Sequence, residues 1–213
     1  MNTYYSSWKN DPDFVNLFKK FNNIHNIDND IESPMYSRLY VLRQLAKQQS
    51  KKNACFAEAG VYAGMSMFFT ADLCNNKFVG IDSFEGVSQP LEFDTDYFKT
   101  VKLVIPMSFA ETTLNGFKNT LLYKGWIPEV FNTIEENEYS YVHIDVDLWK
   151  PTKTSIEYFW PRLISGGVLI CDDYGSDKTI GARKAMDDFF GKDNILELPT
   201  GQGIVFKGID LEQ

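Results

Sequence analysis

The sequence predicts an α/β fold: a mostly parallel sheet with helices on both faces, ending in an antiparallel hairpin. Three observations predict it. From Ala54 onward, short β-branched and aromatic runs alternate with stretches of helical periodicity. Most of those runs finish on acids, which strands otherwise avoid. The last two runs, ILEL (195–198) and GIVFK (203–207), flank Pro199-Thr200-Gly201, a turn between hairpin strands.

The elements follow in order. Between Asp11 and Ile24, Phe14, Leu17, Phe18 and Phe21 fall at i, i+3, i+4 and i+7, one face of a helix. The polar segment IHNIDNDIESP separates it from a second helix, opened by Ser33-Pro34 and running through Leu39, Leu42 and Leu45 to about Gln49. These helices read as an N-terminal cover over residues 1–52, not an independent domain, with Tyr4, Tyr5 and Trp8 exposed ahead of them. His25, in the polar connector, reads as a surface residue. Residues 53–213 then form the ligand-binding domain. ACFAEA (54–59) is a strand, followed by a glycine turn from Gly60 to Gly64 and a helix to about Asn75. KFVGID (77–82) is the next strand. The stretch 83–107 is too rich in acids and aromatics for a plain linker. Ser108-x-x-Glu111 has the form of a capping box and starts a helix to about Tyr123. YSYVHID (139–145) is a strand, 152–163 a helix, GGVLICDD (166–173) a strand, and Ala182–Phe190 a helix.

The chain of 213 residues is long enough for one sizeable core. Its net charge of −8 argues against a general nucleic-acid or anionic-membrane binder. No apolar run reaches the roughly 18–20 residues of a membrane span. MNTYYSSWKNDPDF lacks the pattern of a secretory signal, so a cytoplasmic protein is expected. The three cysteines form no C-x-x-C pair; Cys55 and Cys171 lie in apolar runs and read as buried thiols.

In an open parallel sheet, ligands sit outside the carboxyl ends of the strands. The first strand ends in Glu58-Ala59-Gly60, with Gly64 four residues on, which is not G-x-G-x-x-G. An acid at 58 suits a ligand with an amino end better than a pyrophosphate. Asp82 follows Gly60 by 22 residues, well placed to accept hydrogen bonds from ribose hydroxyls. Asp145 and Asp147 end one strand, and Asp172-Asp173 another. Four carboxylates there repel one another unless something neutralises them, and a hard divalent cation such as Mg²⁺ does so. Asp145, Asp172 and Asp173 are then the candidate ligands, and Asp147 a candidate general base facing the substrate. Helix caps and solvated turn acids are the plainer alternative. His143 lies on the same side of its strand as Asp145 and reads as a satisfied buried histidine beside the site.

Taken in order, FAEAGVYAGMS (56–66), GIDSFEG (80–86), YKGWIPEVF (123–131), YVHIDVDLWKPT (141–152), GGVLICDDYG (166–175), GARKAMDDF (181–189) and LPTGQG (198–203) resemble the macrocin O-methyltransferase family. These are metal-dependent class I S-adenosylmethionine enzymes that methylate sugar hydroxyls. The resemblance implies a Rossmann-like three-layer sandwich with a seven-stranded sheet. It implies that Glu58, Gly60, Val61, Tyr62, Gly64 and Ser66 line the methionine end of the cofactor and that Asp82 holds the ribose. Ser83 and Phe84 would lie beside the adenosine, and Lys124-Gly125-Trp126 near the adenine. Asp145 would touch the cofactor and, with Asp172 and Asp173, hold Mg²⁺ or a similar ion, leaving Asp147 as the base. Val146 and Trp149 stand where the family more often has Gly and Tyr, beside the acceptor. Residues 86–107 match no segment of the family and are expected to form the acceptor lid. The expected partner is a small-molecule sugar or glycoside, and a homo-oligomer is left open. The rival readings are methylation of a catechol-like diol, or a nucleotide-sugar or NAD-dependent oxidoreductase. The absence of G-x-G-x-x-G counts against the oxidoreductase.

Overall fold

The computed structural model describes residues 7–208, so Tyr4 and Tyr5 lie outside the described residues. Seven strands form one sheet: β1 (Cys55–Ala59), β2 (Phe78–Asp82), β3 (Thr120–Lys124), β4 (Tyr139–Ile144), β5 (Leu163–Cys171), β6 (Leu196–Glu197) and β7 (Gly203–Phe206). Their order is β3-β2-β1-β4-β5-β7-β6. The first five are parallel to their neighbours, whereas β7 runs antiparallel to both β5 and β6. The expected hairpin is present, and its antiparallel member lies one place in from the edge.

Helices cover both faces. On one lie α1 (Pro12–His25), α2 (Pro34–Gln49), α3 (Met65–Thr70) and α4 (Met107–Leu114), packed with Phe56, Phe78 and Tyr141 of the sheet. The Phe14 and Phe21 positions of the N-terminal stripe are buried there. Each such burial contributes about 1.5–3 kcal/mol. On the other face, α5 (Trp149–Arg162) and α6 (Ile180–Phe190) pack on Val142, Ile144, Leu169 and Cys171. Asp11 caps α1 by accepting the main-chain N–H groups of Asp13 and Phe14. A bidentate pair between Arg43 on α2 and Asp72 (2.6 and 2.9 Å) ties the cover helices to the end of α3.

The structure corrects several local expectations. The helix expected to run to Tyr123 stops at Leu114, where Asn115 and the left-handed Gly116 (φ +106°) end it, and Thr120–Lys124 is strand β3. The capping box does not form, because Pro106 is the N-cap and Ser108 already lies in the first turn. Ser33 likewise makes no side-chain cap bond. His25 is docked rather than free on the surface, stacked on Phe109 at 4.6 Å and hydrogen-bonded to Thr113 at 3.0 Å. Trp8 is half-buried and donates to Ile31. Cys171 is buried, but Cys55 is partly exposed.

Candidate active site

Because β1, β2, β4 and β5 are parallel neighbours, their carboxyl ends meet at one rim. Main-chain bonds carry the ladder to the tips: Gly60 N–H to Ile81 (2.8 Å), Asp145 N–H to Ala59 (2.8 Å) and Asp172 N–H to Ile144 (2.9 Å). Gly60 sits at φ +92°, and a Cβ there would lie 1.7 Å from the carbonyl oxygen of Asp145, so only glycine fits. Three non-glycine residues just past these tips are also left-handed: Tyr62 (φ +48°), Phe84 (+53°) and Asp147 (+61°). Such conformations cost on the order of 1–3 kcal/mol each and persist where neighbours hold them. Carboxylates do the holding. Asp82 accepts the N–H of Tyr62 and of Phe84, both at 2.7 Å, and Asp173 accepts that of Asp147 at 3.1 Å.

Two cavities open on this rim. A cavity of about 260 Å³ is lined by Gly60, Tyr62, Asp82, Ser83, Gly125 and Trp126, with Asp145 and Asp147 at one end. A larger one, about 780 Å³, is walled by Arg38, Ser66, His143, Asp145, Asp172 and Asp173. Asp145 borders both.

Not every sequence-predicted residue reaches a cavity. Val61 and Phe84 bury their side chains in the core. Gly64 is the N-cap of α3 and faces Ala110, Thr113 and Leu114. Lys124 pairs with Glu85 at 3.1 Å. Glu58 is sealed from solvent, accepting from the Ser66 hydroxyl (2.6 Å) and facing His143 Nδ1 (3.0 Å).

The acids are strongly perturbed. Burial, reinforced by the negative charges of Asp172 and Asp173, holds the Asp145 carboxyl well above the usual range. Burial and Asp172 raise Asp147 to about 6, and burial with Asp147 and Asp172 raises Asp173 to about 7. Asp172 goes the other way. Burial alone would raise it, but the nearby imidazole of His143, the charge of Arg38 and the amide of Gln202 hold it below the ordinary value. The carboxylate of Asp145 accepts no hydrogen bond from any described residue, and ligand atoms of His143, Asp145 and Asp172 lie within 4.8 Å of one another. Of the three acids read as ligands, Asp145 and Asp172 fall in this group, with His143 where Asp173 was expected; carboxylate oxygens so placed fit a hard divalent cation.

Residues 86–107 line one side of the smaller cavity through Val87, Ser88 and Leu103. Asp94 fastens that stretch: its Oδ1 accepts the N–H of Trp149 at 2.7 Å, its Oδ2 that of Leu91 at 2.8 Å. Phe93 packs on the Trp149 ring at 4.7 Å, and Thr95 donates to the carbonyl of Lys178 at 2.6 Å. Sequence reasoning singled out neither Arg38, Gln202 nor Asp94. All three act across more than 25 residues of chain, where no local pattern marks them. LPTGQG (198–203), one of the segments that resemble the family, was the signal for Gln202.

Residues 36–200 match the profile of the macrocin-O-methyltransferase family (TylF). A search of curated proteins finds no match. Among solved structures, the fold is similar to the calicheamicin methyltransferase CalS11 (TM-score 0.69, 18% identity, 92% of this chain and 93% of that one). It is similar also to the O-methyltransferase NovP (0.67, 18%, 80% and 79%). A third is an O-methyltransferase from Bacillus cereus in complex with SAH (0.57, 13%, 97% and 94%). With the matched segment spanning most of the chain, the chain belongs to the macrocin-O-methyltransferase family and is an O-methyltransferase.

Proposed function

We propose that the enzyme uses S-adenosylmethionine and a divalent cation such as Mg²⁺ to methylate a hydroxyl of a sugar or glycosylated small molecule. The observation that carries this reading is Asp145, the common wall between a cavity suited to a nucleoside and a cavity lined with acids. The names of CalS11, described as a TDP-rhamnose 3'-O-methyltransferase, and of the family itself support the sugar acceptor.

In this reading Asp82 accepts from the ribose hydroxyls, Ser83 lines the adenosine, and Gly125 and Trp126 flank the adenine. Gly60 and Tyr62 face the cofactor at the strand turn, and Ser66, fixed by Glu58, borders its methionine end. Val61, Gly64, Phe84 and Lys124 support these positions from behind. Asp145, Asp172 and Asp173 hold the cation. When bound, S-adenosylmethionine supplies an electrophilic sulfonium methyl, and the cation draws charge from the acceptor oxygen. Asp147 would take the proton of the acceptor hydroxyl as that oxygen becomes the nucleophile. The lid excludes water from the smaller cavity. The cover of residues 1–52 and the catalytic domain of 53–213 belong to the same reading. So do a cytoplasmic setting and a small-molecule partner without nucleic acid or membrane, supported by the charge of −8. No described helix is long and apolar enough to cross a membrane.

The test is calorimetric titration of metal-stripped protein with S-adenosylhomocysteine, then with Mg²⁺, followed by assays on sugars and on catechols. Expected are cofactor binding, a separate Mg²⁺ heat, and turnover on sugars. Asp147→Asn is expected to lose about 10²–10⁴-fold in turnover with cofactor affinity kept. Absence of cofactor binding would overturn the reading; turnover on catechols alone would move it to the diol acceptor.

A further inference from the structure

The chemistry assigned so far leaves unexplained why Asp172 is engaged by side-chain donors on both of its carboxylate oxygens. Its Oδ1 accepts from the amide of Gln202 at 2.8 Å and lies 3.4 Å from His143 Nε2. Its Oδ2 is paired with the guanidinium of Arg38, which also donates to the main-chain oxygen of Asp172 at 2.6 Å.

The two donors differ in freedom. Gln202 is fully buried, and its own Oε1 accepts from the Thr200 hydroxyl at 2.9 Å. Its backbone is locked by the hairpin turn, with Leu198 N–H on its carbonyl at 2.8 Å. Arg38 comes from the cover helix α2. Its side chain is 36% exposed on the wall of the larger cavity, with room to swing out. A carboxylate whose Oδ1 is taken by fixed donors has Oδ2 left for a cation, and Arg38 sits on that oxygen.

Building on the cation site of the proposed function, we propose that Gln202 and Arg38 form a clamp with one fixed and one exchangeable arm. Gln202 permanently orients Asp172. Arg38 is a stand-in cation that neutralises the acidic cluster until the metal ion displaces it. Both are positioning residues rather than catalytic ones, and the two arms act on metal affinity with opposite sign. Loss of an orienting partner of a ligand typically costs about 10–100-fold in metal affinity. Loss of a competitor raises it.

The experiment measures Mn²⁺ affinity of the full chain by electron paramagnetic resonance of the free ion, with neither cofactor nor acceptor present. Thermal unfolding of the metal-free protein is followed in parallel. Arg38→Ala is expected to bind Mn²⁺ more tightly, by about threefold or more, while melting at a lower temperature when metal-free. Gln202→Met, which keeps the volume without the donor, is expected to bind at least about tenfold more weakly. Thr200→Val, which only frees the far end of Gln202, is expected to weaken binding by less and serves if Gln202→Met does not fold. Wild-type binding that Arg38→Ala weakens would overturn the exchange, and binding that no variant alters would overturn the clamp. A wild type that binds S-adenosylhomocysteine but no Mn²⁺ would overturn the cation site itself, a separate failure.

Discussion

Glu58 and His143 are register partners on neighbouring strands, and their side chains meet at 3.0 Å with neither exposed to solvent. Ser66 holds the other oxygen of Glu58, and the far nitrogen of His143 faces Asp172 at 3.4 Å. A polar chain therefore runs from α3 through β1 and β4 to the tip of β5. Burial alone would lower the imidazole pKa; the carboxylates of Asp172 and Glu58 outweigh it and hold the ring well above its ordinary value.

Removing one partner strands the other. Glu58→Leu is expected to cost about 3–5 kcal/mol, the size seen when a buried pair loses one member. Glu58→Gln, which still offers a carbonyl, should cost less. Urea unfolding followed by tryptophan fluorescence reads both. A Glu58→Leu protein within about 1 kcal/mol of the parent would mean that the imidazole is neutral and indifferent to its neighbour.

Asp82 has a structural duty that precedes any ligand, since it holds the amides of two left-handed residues. Asp82→Ala should cost about 1–3 kcal/mol in stability and weaken S-adenosylhomocysteine binding at least about tenfold, equivalent to ~1.4 kcal/mol. Asp82→Asn keeps one acceptor oxygen and should fall between. Calorimetry and unfolding on the same samples would separate the effects; unchanged binding in Asp82→Ala would remove the ribose role.

Asp94 acts as an N-terminal cap delivered from outside the helix, because Leu148, the local N-cap residue of α5, has no side-chain acceptor. Gly181 makes the approach feasible: a Cβ there would stand 2.0 Å from Asp94 Oδ1. Asp94→Ala should cost about 0.5–2 kcal/mol, as for other lost caps, and should speed proteolytic cleavage within 86–107. Cleavage at the parental rate would show that the aromatic contacts hold the lid unaided.

The sequence made the chemistry easier to read than the scaffolding. Acids at the ends of apolar runs, 22 residues of spacing from Gly60 to Asp82, and Pro12 and Pro34 at helix starts are local signals, and each sits where that pattern places it. Strand β3 was missed because it is a half-exposed edge strand, whose Thr-Leu-Leu-Tyr-Lys run lacks clean alternation. His25 looked like a loop histidine because the ring it stacks on, Phe109, and the hydroxyl it bonds, Thr113, lie on α4, far along the chain. Arg38 and Gln202 reach Asp172 from opposite ends of the chain, a relation that only the folded sheet creates.

The position of β7 also closes an edge. Strand β5 is paired by β4 on one side and by Gly203–Phe206 on the other, so an opening of the terminal hairpin would bare the backbone and apolar residues of β5, the kind of edge that recruits other chains. Gln202 lies in the turn of that hairpin and would leave with it. One opening would therefore expose a sticky edge and strip Asp172 of its buried amide donor at the same time.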